Sequence, residues 1–264
     1  MAARFLVTGG TGTLGRHVVS RLRDEGYPVR VLSRRHHEPG DGVEYVAGDL
    51  ATGDGVAEAV AGAETILHAA GRHLGDNVLT QNLVRAARQA GRPHVVYISV
   101  VGADRVPVVS RADRWIFGYF AAKADSERIV AGSGLPWTTL RATQFYDLVL
   151  AVVAAAARLP VIPLPPGLRF QPIDAREVAD EYVRLALSEP AGLVPEMGGP
   201  KVYDVAELLR DYLHHVGKRR AIVPLPLPGR AAQAVKAGAI LTPDHAVGRR
   251  TWEEFLDDQV PVHR

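Results

Sequence analysis

Thr8-Gly9-Gly10-Thr11-Gly12-Thr13-Leu14-Gly15 stands between an apolar run, Arg4 to Thr8, and a helical pattern that begins near residue 14. Glycines at 9, 12 and 15 let the chain turn tightly, let backbone amides approach a pyrophosphate, and let the next helix sit close to the strand with its N-terminus facing the phosphate. That is dinucleotide chemistry, with Thr11, Thr13 and Leu14 completing the cradle. An acidic residue at the end of the second strand would bind a ribose 2′-hydroxyl. This chain has Ser33-Arg34-Arg35 there, and guanidinium groups suit a 2′-phosphate, which favours NADP(H) over NAD(H). The plainer reading of the two arginines is a solvated surface. Asp49-Leu50, just past the third strand, can receive an adenine amino group and pack on its ring. The alternative for Asp49 is the N-cap of a helix over 54–60.

Tyr119 and Lys123, in Tyr119-Phe120-Ala121-Ala122-Lys123, lie one helical turn apart and reach the same ligand. A phenol with an ordinary pKa near 10 is a poor acid-base catalyst at neutral pH, and a neighbouring ammonium favours its phenolate. The alternative for Lys123 is an i,i+4 pair with Glu127 on a solvated face. With the glycine loop, this pattern resembles the Tyr-x-x-x-Lys pair of the short-chain dehydrogenase/reductase superfamily. The resemblance covers nearly the whole chain and points to its atypical, NmrA-like NAD(P)-binding branch. It implies Tyr119 as proton donor and Lys123 as ligand of the nicotinamide ribose. It also implies Ser99, at the end of Tyr97-Ile98-Ser99, as the hydroxyl that polarises a carbonyl, and Ala69, Ala70 and Gly71, after His68, as a small-residue segment against the ribose. A serine at a strand end is also a common local backbone hydrogen-bonder. Residues 134–145, 173–179, 197–200 and 251–255 look like further segments of the branch. Val101, Phe145, Tyr146 and, from topology, Leu74, Phe120 and the 160–170 loop are expected to line an apolar or aromatic substrate pocket.

The elements that must hold these residues follow from the rhythm of the chain. Short apolar runs at 4–8, 29–33, 43–46, 65–68, 94–99 and 137–141 read as strands, and 14–25, 54–60, 77–90 and 119–131 as helices between them. Strands separated by such helices cannot pair as hairpins, so the fold class is α/β, a doubly wound parallel sheet of Rossmann type. Residues 1–143 form the NADP-binding domain on this reading. Residues 144–264 form a smaller substrate lobe on the carboxyl edge of the sheet, with strand segments able to return to it. In that lobe 160–167 reads as a proline-rich loop, 170–173 as a strand, and helices start at Asp174, Asp204 and Arg230. Residues 105–117 look long for a connection, enough to cover the site or displace Tyr119.

Composition bounds the rest. Of 264 residues 47% are hydrophobic and 23% charged, and 31 basic against 29 acidic residues leave a net charge of +2, too little for a nucleic-acid groove or a polybasic membrane patch. There is no cysteine, so disulfides and thiolate chemistry are excluded. No secretory leader is legible and the longest apolar run, Leu148 to Ala157, is about half of the roughly 20 residues of a membrane span, so the expectation is a cytoplasmic protein with a buried helix there. No His/Asp/Glu spacing suggests a metal site; His36-His37 and His214-His215 are adjacent pairs that point to different sides of their elements. Three functions fit: an NADPH-dependent reductase of a small carbonyl or quinone-like compound, a non-catalytic NADP sensor, and an epimerase or dehydratase, for which the C-terminal part is small. A small-molecule partner is expected, with no nucleic acid and no membrane, in a monomer or homodimer.

Overall fold

The computed structural model describes residues 4–35, 37, 42–72 and 75–260; His36 and Leu74 lie outside them. The order is β1 (Phe5–Thr8), α1 (Thr13–Asp24), β2 (Val29–Ser33), β3 (Val43–Ala47), α2 (Val56–Val60), β4 (Thr65–His68), α3 (Asp76–Gln89), β5 (His94–Val100), α4 (Arg111–Ala131) and β6 (Trp137–Ala142). There follow α5 (Tyr146–Ala156), β7 (Val161–Leu164), β8 (Arg169–Phe170), α6 (Ala175–Ala186), β9 (Gly192–Leu193), β10 (Tyr203–Asp204), α7 (Val205–His215), β11 (Ala221–Pro224), α8 (Arg230–Lys236) and α9 (Trp252–Gln259). No helix of the described residues is long and apolar enough to cross a membrane.

The chain forms two compact units. The first holds the described residues up to Ser99, Gly118–Arg141 and Arg176–Pro195. Its seven-stranded sheet runs β3-β2-β1-β4-β5-β6-β9, a parallel Rossmann arrangement with strand order reversing between β1 and β4. Every residue of β5 is buried, as a strand covered on both faces requires. Helix α1 turns Leu14, Val18, Val19 and Leu22 inward at helical spacing, and α6 buries Val178, Ala179, Tyr182 and Val183. The Tyr182 hydroxyl donates to the Val96 carbonyl at 2.6 Å, giving a buried phenol the partner it needs.

The second unit holds Val100–Phe117, Ala142–Ala175 and the described residues from Glu196. Its core gathers Tyr146, Val149, Val153, Ile162, Tyr203, Leu208, Trp252 and Phe255. Three expectations are corrected here. The proline-rich stretch contains a strand: β7 pairs in parallel with β11, and Pro163 is tolerated because a two-stranded sheet consists only of edge strands. The strand expected over 170–173 is reduced to Arg169–Phe170, paired with β10. Helix α5 is half buried, with Leu148 57% and Val152 52% exposed against 2% for Val149 and Val153. In addition, residues from Arg111 onward, read as a connection, are the opening turns of α4. Ser110 Oγ accepts from Asp113 N and Asp113 Oδ2 from Ser110 N, both at 3.0 Å, a reciprocal cap that starts a helix.

Thr8 and His68 are partners in the β1–β4 pairing, and their side chains join as well, Thr8 Oγ1 lying 2.7 Å from His68 Nδ1. The other ring nitrogen is 3.1 Å from Thr80 Oγ1. Burial pushes the imidazole from 6.5 down to about 4, with Asp76 pulling it up and Lys123 pushing it down. The unfolded chain therefore takes up a proton that the native chain refuses. Stability should be flat with respect to this group above pH 6.5 and fall by up to about 3 kcal/mol as the pH drops towards 4. Urea unfolding of His68→Asn between pH 4.5 and 7.5 should show a shallower acid limb than wild type, a smaller slope remaining from His94, which burial also depresses. An equally steep limb contradicts the assignment.

Candidate active site

The glycine loop is built from backbone contacts that side chains would prevent. Gly9 has φ +71, and a Cβ there would lie 2.6 Å from the Ala70 amide nitrogen. A Cβ on Gly15 would lie 2.0 Å from the Gly9 carbonyl oxygen. Gly12 donates to that same oxygen at 2.9 Å and caps α1 with extended backbone and no side-chain hydrogen bond. The first turn of α1 carries no acidic residue, so the amides of Thr13, Leu14 and Gly15, which lack helical partners, keep their positive end for an anion. Thr11 and Gly12 are exposed and Thr13 is half-buried. These features fit a dinucleotide pyrophosphate.

Around this cradle the other cofactor candidates divide. Ser33 is buried; its hydroxyl accepts from Arg35 N at 3.2 Å and lies 3.0 Å from His37 Nε2. Arg34 and Arg35 are exposed, and neither guanidinium pairs with a described residue. Asp49 Oδ1 accepts from Ala51 N at 2.8 Å, an Asx turn, while α2 takes Gly55 as its N-cap; the capping alternative for Asp49 is not the one adopted. Leu50 is packed into the core of the first unit. Ala69 and Ala70 are half-buried and Gly71 exposed, and Ala69 N donates to Thr8 O at 3.1 Å, holding the segment beside Gly9.

Lys123 is not on a solvated face. Its side chain is 4% exposed, and its ammonium lies 3.1 Å from Asp76 Oδ2 and donates to the Ile98 carbonyl at 3.0 Å. Glu127 instead pairs with Arg141. The ammonium lies 4.8 Å from the ring centre of Tyr97 and 5.8 Å from that of Tyr119. Burial opposes its charge, but Tyr97, Tyr119 and Asp76 outweigh burial and raise it above its ordinary value. Tyr119 is half-buried and packs edge-on against Phe120. Ser99 is 5% exposed, and its Oγ has no hydrogen-bond partner among the described residues. A buried hydroxyl without a partner is uncommon and calls for a ligand or another explanation.

Of the substrate candidates in the second unit, Tyr146 is fully buried, donates to the Arg250 carbonyl at 2.7 Å and stacks on Phe255 at 5.1 Å. It builds the core of that unit, and Val101 is fully buried too; Phe145 keeps partial exposure. Sequence reasoning missed Asp76, which is completely buried and also accepts from the Tyr97 hydroxyl at 2.9 Å. An acidic residue in the first turn of a helix reads as a complement to the dipole on the surface, and nothing local signals its burial.

Residues 9–158 match the NAD(P)H-binding family model. The chain is 32% identical over 253 residues to the ceramide reductase of Caulobacter vibrioides, covering 89% of this chain and 76% of the relative. It is 25% identical over 264 residues to the NAD(P)H azoreductase of Xenophilus azovorans, covering 92% and 89%. The NADPH-dependent quinone oxidoreductase of Escherichia coli, solved with NADPH, shares the fold at a TM-score of 0.77 and 20% identity over 96% of this chain and 99% of that one. The chain belongs to the NAD(P)H-binding family.

Proposed function

We propose that the chain is an NADPH-dependent reductase of a small hydrophobic carbonyl or quinone-like compound. That it is an oxidoreductase rests on its family and on the reductases among its relatives. The single observation that carries the finer reading is the buried Lys123 ammonium beside Tyr119. The names of the relatives, which act on a ceramide, azo compounds and quinones, favour an apolar or aromatic acceptor.

NADPH, when bound, supplies the two electrons as hydride. The amides of Thr13, Leu14 and Gly15 hold its pyrophosphate, Arg34 and Arg35 its 2′-phosphate, and Ala69 to Gly71 leave room for the ribose. Asp76 and Ile98 O hold the Lys123 ammonium where it would donate to a hydroxyl of the nicotinamide ribose. The Tyr119 hydroxyl gives its proton to the oxygen on which charge develops, and the Ser99 hydroxyl donates a hydrogen bond to that oxygen.

Tyr119→Phe should lower kcat by about 100-fold or more with little change in NADPH affinity, as loss of a general acid does; full turnover excludes Tyr119 as the proton donor. Arg34→Ala/Arg35→Ala, titrated by calorimetry, should lose NADPH affinity by about 10-fold or more while NADH affinity holds, since only the 2′-phosphate contacts are removed; parallel losses contradict the 2′-phosphate assignment. The cradle separates two glycines. Gly12→Ala meets only the Gly9 carbonyl at 3.2 Å, so it should fold with nearly wild-type Tm and lose dinucleotide binding. Gly15→Ala meets backbone at 2.0 Å and should fail to fold. Equal behaviour of the two would contradict the geometry.

A further inference from the structure

In the scheme above Asp76 only helps to hold the Lys123 ammonium, yet it is the most heavily used side chain near Lys123. Its Oδ2 accepts from Tyr97 OH at 2.9 Å and Ser126 Oγ at 3.5 Å and faces Lys123 Nζ at 3.1 Å. Its Oδ1 accepts from Arg72 N at 3.1 Å, immediately after the Ala69 to Gly71 segment. A Cβ on Gly71 would lie 3.2 Å from Asp76 Oδ1 and 3.7 Å from Lys123 Nζ, so this segment runs directly over the ion pair. One carboxylate thus ties the start of α3, the middle of β5, the tyrosine-lysine helix and the segment after β4.

We propose that Asp76 is a positioning residue of the reductase site: its carboxylate holds the Lys123 ammonium and the Ala69 to Gly71 segment in one arrangement, so that its charge governs the chemical step. This rests on the reductase reading. Burying two opposite charges is costly, and an apolar pair of similar volume is often as stable or more so; a pair kept for stability alone would be a poor solution here. The groups facing Lys123 are Asp76 from α3, Tyr97 from β5, Tyr119 from its own helix and, acting through charge alone, His68 from β4. Asp76 is the acidic one. Replacing it by a neutral amide leaves the ammonium uncompensated. Lys123 then gives up its proton more readily, so the site loses its ammonium earlier as pH rises.

The test compares wild type, Asp76→Asn and Asp76→Glu. The chain has four lysines, of which Lys201 and Lys218 are exposed, Lys236 is half-buried and Lys123 is buried. Lysine labelled with 15N in the ligand-free protein should give one slowly exchanging ammonium signal, from Lys123, and Asp76→Asn should abolish or displace it. With NADPH and a quinone, Asp76→Asn should lower kcat by about 10-fold or more while KM for NADPH changes by less than about 3-fold, and its alkaline limb should move to lower pH. Asp76→Glu, which keeps the charge one methylene further out, should restore the alkaline limb while kcat stays below wild type. If Asp76→Asn does not fold, Asp76→Glu carries the test, and a wild-type kcat in it overturns the proposal. A lowered Tm in Asp76→Asn with kcat, limb and ammonium signal unchanged shows an ion pair of the fold alone and also overturns it. A wild-type chain that binds NADPH but reduces no acceptor overturns the reductase reading, and the claim on the chemical step with it. The ammonium signal separates that failure from the other, because it reports the Asp76–Lys123 contact without turnover.

Discussion

The Gly9 carbonyl oxygen accepts from the Gly12 amide and stands where a Cβ on Gly15 would fall, and the first unit depends on this approach of strand to helix. It starts α1 within five residues of the end of β1, so the unpaired amides of the helix end up at the carboxyl edge of the sheet. Gly9 fits against Ala69 and Ala70 for the same reason. Small residues on both sides of β1 and β4 leave backbone, and no side-chain bulk, facing the cradle. In open parallel sheets that edge, where strand order reverses, is where ligands bind.

The second organising feature is polar and buried. From Thr8 through His68 to Thr80, and from Thr80 to the Asp76 carbonyl at 3.1 Å, hydrogen bonds run from β1 across β4 to the start of α3. The Asp76 side chain then continues to Tyr97, Ser126 and Lys123. Such a network stabilises one geometry only when every member has a partner, because an orphaned charge in a low dielectric is expensive. Ser99 Oγ, unpartnered among the described residues near the end of β5, stands apart from it.

Much of the first unit was legible because its signals are local. The six strands β1 to β6 lie within a residue or two of their apolar runs, and the glycine loop sits where strand and helix patterns meet. What was not legible depends on partners distant in sequence. Tyr146 reads as a pocket aromatic until Trp252 and Phe255, more than a hundred residues later, close on its ring. Val161 to Leu164 reads as loop because its prolines dominate, and its partner strand begins at Ala221. Lys123 could be placed on a helix, but its counter-ion lies on another helix, across the edge of the sheet. The start of α4 is different: the Ser110 and Asp113 cap was in the sequence and was read as part of a connection.

On the proposed reading the glycine cradle, the two arginines and the Lys123 ammonium address one dinucleotide, and a crystal structure with NADP is the measurement that decides it. Pyrophosphate oxygens are expected on the amides of Thr13 to Gly15, the 2′-phosphate between Arg34 and Arg35, and the nicotinamide ribose within hydrogen-bond reach of Lys123 Nζ. A dinucleotide bound away from the Gly9 to Gly15 loop, or with its ribose out of reach of Lys123, would contradict it.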